Sequence, residues 1–141
     1  MDDMNLVLKR LGDNLETVDS LNLTNRALKE LPSFITSMSQ LKFLYLDNNK
    51  LIFVPEIGNF LLLEEMSIEN NNLSLIPETF NDLKNLKLLN LSKNPIKCLN
   101  SSLFGGFDKL TTLWMNNCEL MYLPKEIGAL KSLEKLGKFY Y

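Results

Sequence analysis

Histidine is absent from this chain of 141 residues. The commonest general base near neutral pH, which is also the commonest metal ligand, is therefore missing. Cysteine occurs only twice, too few for a disulfide framework. No apolar run approaches the roughly 20 residues of a bilayer span. The opening "MDDMNLVLKRLGDN" is acidic and broken by charge, where a secretory leader would start basic and turn apolar. A net charge of −2 gives no reason to expect nucleic acid as a partner. What the chain does hold is 45% hydrophobic residues, enough for one domain with a sizeable core.

That apolar content is periodic. The stretch "LKFLYLDNNKL" reads LxxLxLxxNxL, with Leu41, Leu44, Leu46, Asn49 and Leu51 in the defining places. The same frame fits Leu63, Met66, Ile68, Asn71 and Leu73, and again Leu86, Leu89, Leu91, Asn94 and Ile96. A further copy, Leu110, Leu113, Met115, Cys118 and Leu120, carries cysteine in the asparagine place. Upstream, Val18, Leu21, Leu23 and Leu28 fit around Arg26, and downstream Leu133 and Leu136 begin a sixth copy. The starts at 18, 41, 63, 86, 110 and 133 lie 22 to 24 residues apart. Proline falls fifteenth at Pro32, Pro55, Pro77 and Pro124, with Asn100 in its place once. Two independent landmarks in one register identify a repeat architecture.

The chain thereby resembles the leucine-rich repeat family over nearly its full length. "LPKEIGALKSLEKL" looks like the intracellular subgroup found in Ras-pathway scaffolds and in scaffolds that pair repeats with PDZ domains, whereas "SSLFGGFDKL" looks more like the extracellular form. The resemblance implies an α/β right-handed solenoid with a parallel sheet on the concave face and short helical or irregular convex segments. Residues 1–17 are then an N-terminal helical cap, 18–132 five repeats, and 133–141 a truncated sixth repeat or C-terminal cap. In the cap, Met4, Leu8 and Leu11 share a helical face, Asp2 or Asp3 suits its start, and Lys9 and Arg10 suit its last turn before Gly12. At the other end Phe139, Tyr140 and Tyr141 either fold over the last core or leave it open to self-association.

Strand geometry sorts the motif. Alternate side chains point to opposite faces, so Leu44 and Leu46 go inward and Phe43 and Tyr45 outward. Asparagine follows because the chain turns where its backbone is buried, and a side-chain amide both donates and accepts there. Cys118 fits the same small place; Arg26 does not, and belongs at an open end. Cys98 and Cys118 fall on different parts of the coil, so two reduced thiols are expected.

Catalytic residues, metal ligands and cofactors are not expected. Glu64 and Glu65 read as a solvated acidic surface, and Gly105–Gly106 as slack in the longest repeat, without the Lys and Ser/Thr of a phosphate loop. The third motif place reads Ser20, Phe43, Glu65, Leu88, Thr112, and the fifth Asn22, Tyr45, Ser67, Asn90, Trp114. The seventh reads Thr24, Asp47, Glu69, Ser92, Asn116. Phe43, Tyr45, Leu88 and Trp114 are large residues that the register sets outside the core, as interface anchors are. With Asp47, Glu65 and Glu69 beside them, and Asn90 and Asn116 completing the surface, the expectation is a non-catalytic module that binds a protein with a basic patch. The resemblance implies a signalling or targeting role in the cytoplasm. The alternatives are a self-associating structural protein and a secreted recognition domain. The sequons at Asn22, Asn72, Asn90 and Asn100 bear on the second, although the repeat itself generates such triplets.

Overall fold

The computed structural model describes residues 2–55, 57 and 59–137. Each motif yields a strand of two or three residues: β1 (Ser20–Asn22), β2 (Phe43–Tyr45), β3 (Glu65–Ser67), β4 (Leu88–Asn90), β5 (Thr112–Trp114) and β6 (Lys135–Leu136). They form one parallel sheet in sequence order. The register aligns Ser20, Phe43, Glu65, Leu88, Thr112 and Lys135 across it, so the columns expected from the repeat are the columns observed. Parallel neighbours need a crossover, and here each repeat is its own crossover. The return passes through the 3₁₀ turns Ser33–Ser37, Glu78–Asp82, Ser101–Gly105 and Lys125–Ala129.

The fifteenth residue caps these turns. Pro32, Pro77 and Pro124 stand at the caps with φ near −60°, the angle their ring imposes. Asn100 reaches the same end by another route, its side chain accepting the N–H of Ser102.

The core runs as one column through the solenoid. Leu44, Leu46, Met66, Ile68, Leu89, Leu91, Leu113 and Met115, from the fourth and sixth places, are sealed from solvent, and Phe60, Phe80 and Phe107 fill the space toward the turns. Each such side chain contributes roughly 1.5–3 kcal/mol on burial. No repeat covers its own apolar face, and the last one shows it: Leu136, in the place of Leu113, is 39% exposed against 2%.

At the start, α1 (Asp2–Leu11) ends where Gly12 turns with φ 71° and donates to Leu8 O. Met4 and Leu11 pack against the core, and Val7, on the same side, is the most buried of them. A further 3₁₀ turn, Leu15–Thr17, leads into β1. The side chains of Asp2 and Asp3, and the C-terminal residues 138–141, lie outside the described part.

The asparagines stack into a ladder. Asn71 Nδ2 donates to Leu46 O and Ile68 O, and its Oδ1 accepts Leu51 N–H, so one amide ties two repeats together. Asn49 and Asn94 do the same. Cys118 makes one weak bond, Sγ to Leu91 O at 3.4 Å, and is only partly buried. Ile96 N–H, the counterpart of Leu51 N–H, turns instead to Asn94 O. In the first repeat the Arg26 and Leu28 amides are both taken by Asn49 Oδ1 of the next.

One feature adds to the sequence reading and another corrects it. The eighth place is left-handed in all five repeats, at Asn25, Asn48, Asn70, Lys93 and Asn117, with φ between 54° and 60°. The first asparagine of each doublet thus serves the turn, because asparagine tolerates this conformation. Gly106 is not slack. A Cβ there would stand 1.9 Å from Asn81 O, so the backbone of one turn lies directly on that of the preceding repeat.

Candidate functional site

The open face of the sheet carries the third and fifth places, with the seventh just beyond each strand. Phe43, Tyr45, Leu88 and Trp114 all lie there, but each is half-buried and not fully exposed. Neighbouring strands are about 4.8 Å apart, so large side chains in adjacent columns lean on one another. Trp114 shows how far this goes: a Cβ on Gly137, its neighbour in the sixth copy, would meet the indole at 3.2 Å. The ring lies against bare backbone. Ser67 is also outward in register yet buried, beneath its taller neighbours.

The acidic residues divide into two kinds. Glu69 is neutralised: Lys93 Nζ lies 2.7 Å from Oε1 and Asn90 Nδ2 donates to Oε2 at 3.0 Å. The lysine beside it holds the Glu69 carboxyl below the usual range, and Glu69 in turn raises Lys93. Glu64 is likewise paired with Lys87 at 2.5 Å, which lowers its pKa. The acidic patch read from the sequence therefore loses two of its charges to lysines of the next repeat.

Asp47 and Glu65 are different. Asp47 Oδ1 accepts Ser67 Oγ–H at 2.5 Å and Glu69 N–H at 2.7 Å, while Glu65 Oε2 accepts Tyr45 Oη–H at 3.0 Å. Among the described residues neither has an ion-pair partner. Neutral donors orient them, and each keeps an oxygen to offer. Tyr45 registers that field: burial first, then its bond to Glu65 and the charges of Glu65 and Asp47, push its pKa up.

Toward β5 the surface changes character. Glu69, Asn90, Ser92, Lys93, Trp114 and Asn116 line a shallow cavity of about 440 Å³. Asn90 Oδ1 accepts Ser92 N–H, and Ser92 Oγ accepts Asn116 N–H at 3.1 Å, so its polar groups are largely committed. One half of the face is charged around Tyr45, and the other is amide-lined and aromatic around Trp114. Among the described residues no cluster of acidic and cysteine side chains is placed to hold a metal ion, and no helix is long and apolar enough to cross a membrane.

Beyond the asparagine ladder the structure exposes apolar side chains that the strand pattern does not reveal. Ile52, Phe53, Leu75, Met121 and Tyr122 are 50–75% exposed, in the twelfth and thirteenth places. The signal in the sequence was the pair of residues between the eleventh-place leucine or isoleucine and the residue before proline, "IF", "SL", "KC" and "MY".

Comparison with known proteins agrees with this architecture. The chain is 35% identical over 94% of its length to mouse "Leucine-rich repeat and calponin homology domain-containing protein 1" and 33% identical over 89% to adenylate cyclase of Schizosaccharomyces pombe. It spans only 19% and 8% of those proteins. Among solved structures, one titled as the Toll–Spatzle complex of Drosophila superposes on 85% of the chain with a TM-score of 0.75 at 24% identity, matching 16% of that chain. Residues 40–60 and 62–120, more than half of the sequence, match family descriptions that both read leucine rich repeat. Such domains are generally non-enzymatic protein-interaction modules. With six parallel strands, an asparagine ladder and these matches in one register, the chain belongs to the leucine-rich repeat family.

Proposed function

We propose that this chain is a non-catalytic interaction module whose concave sheet face takes a partner protein through a basic side chain. The observation that carries the reading is the pair Asp47 and Glu65, two carboxylates beside Tyr45 that neutral donors orient and no described cation neutralises. An arginine or lysine of the partner supplies the missing charge, and bidentate pairing favours arginine. Phe43, Leu88 and Trp114 then offer half-buried apolar area beside the charge, as hot-spot residues do. Asn90 and Asn116 border Trp114 and contribute hydrogen bonding at the rim. Glu69, paired with Lys93, shapes the surface without adding net attraction.

Toll, which shares the fold, is seen in a complex with Spatzle, which supports protein capture as a use of this architecture. The resemblance to intracellular scaffolds supports a cytoplasmic signalling or targeting role. Selection of binders from a random peptide display library tests the reading. Sequences enriched in arginine or lysine, and lost when Asp47 and Glu65 are changed to Asn and Gln, are expected. Binders without basic residues, or indifferent to those changes, overturn it.

A further inference from the structure

Five of the exposed apolar residues outside the sheet, Ile52, Phe53, Leu75, Met121 and Tyr122, fall in one stripe, whereas Leu6, Leu61 and Leu62 lie elsewhere. Counting Leu41 as the first place of its repeat, the thirteenth place reads Phe53, Leu75, Cys98 and Tyr122 along successive repeats, all exposed. Leu75, Cys98 and Tyr122 line one cavity of about 430 Å³, so the stripe is continuous across repeats three to five. Ile52 and Met121 widen it at its two ends from the twelfth place. Soluble surfaces scatter single apolar residues, but a row of this length marks a contact.

We propose that this stripe is a self-association surface on which a second copy of the chain packs about a twofold axis running across the stripe between the third and fourth repeats. Such an axis reverses the order of repeats and keeps each place opposite its own kind. Phe53 then meets the other copy's Tyr122, Leu75 its Cys98, and Ile52 its Met121. The tenth place, on the same outward side, supplies the charges: Lys50 in repeat two and Glu119 in repeat five are exposed and unpaired among the described residues. The same axis sets Lys50 of each copy against Glu119 of the other. In repeats two and five apolar meets apolar and charge meets opposite charge under one operation, while Lys97, exposed in the twelfth place of repeat four, faces Ser74 of the other copy. A parallel arrangement of the stripes does not pair Lys50 with Glu119.

Five side chains half to three-quarters exposed, at about 200 Å² each when large, present on the order of 500–600 Å². Two copies together bury about 1,200 Å², the lower limit of specific interfaces, so a reversible dimer is expected. Cys98 stands half a repeat from the axis. Two copies of it are then about 5 Å apart along the stripe, within reach of a disulfide.

Sedimentation of the full chain from micromolar to near-millimolar concentration tests this. The mass is expected to rise from 16.2 kDa toward twice that value. Leu75→Glu with Tyr122→Glu abolishes the rise without changing the unfolding temperature, since both residues are exposed. Lys50→Glu weakens the dimer several-fold, and adding Glu119→Lys restores it. Copper–phenanthroline oxidation of the concentrated protein gives a covalent dimer that Cys98→Ser removes. A monomer throughout, or a dimer that survives the glutamate pair and is not crosslinked through Cys98, overturns the proposal; the latter result places self-association at the β6 end instead.

Discussion

Gly106 lies so close to the carbonyl of Asn81 that a single methyl group on it would stand 1.9 Å from the oxygen. A methyl group on the glycine before it, Gly105, would meet nothing nearer than Asn81 Oδ1 at 3.7 Å. Two adjacent glycines therefore separate cleanly. Gly106→Ala is expected to cost about 1–3 kcal/mol or more through backbone displacement, and Gly105→Ala close to nothing. Equal costs in denaturant unfolding would show that turn-on-turn packing is not what selects the glycine.

The ladder gives a second comparison. Asn71→Ala strands the Leu51 amide and takes one of two amide donors from Leu46 O and from Ile68 O, which keep Asn49 and Asn94, and a loss of about 1–3 kcal/mol is expected. Cys118→Ala removes one long bond from sulfur and is expected to cost less than half as much. Thermal unfolding of both variants decides; a larger effect at Cys118 contradicts the role given to the amide.

These rungs also show what the sequence made legible. The register of every strand followed from the repeat, because a spacing of 22 to 24 residues leaves one way to align the leucines and hence the columns from Ser20 to Thr112. The first asparagine of each doublet was harder to read, since only a backbone angle separates its work from that of the second. Glu64 and Glu69 were read as part of an acidic surface without their partners, because their lysines come from the next repeat, at a distance the strand pattern does not encode. Tyr45 and Trp114 were read as exposed because register gives direction but not what neighbouring side chains cover.

The left-handed places yield a third expectation. Asn25 has φ 60°, so Asn25→Ala should lose about 1 kcal/mol while Asn25→Gly stays near neutral. If alanine and glycine unfold at the same temperature, the turn is not held in that conformation.

Cys118 carries a dependence on pH. Burial raises its pKa, so the folded state holds the thiol proton more tightly than the unfolded chain. Its contribution is complete below the unfolded value of about 8.5 and is lost as pH rises through the higher folded value. Alkaline destabilisation should therefore be smaller in Cys118→Ala than in the wild type, in unfolding measured from about pH 7 to pH 10. In the native protein a thiol reagent should label Cys98 quickly and the partly buried Cys118 more slowly. Rapid labelling of both would contradict the burial.

The charge of the open face is the central claim, and the affinity of one selected arginine-containing peptide measures it most directly. Titrated against the wild type and against Asp47→Asn with Glu65→Gln, at about 0.1 M and 1 M salt, the peptide should lose affinity on both changes. Glu64→Gln, whose carboxylate already belongs to Lys87, should leave it within about twofold. Affinity that is unchanged by the double substitution and by salt would contradict the account, and would leave binding to the apolar residues around Trp114 alone.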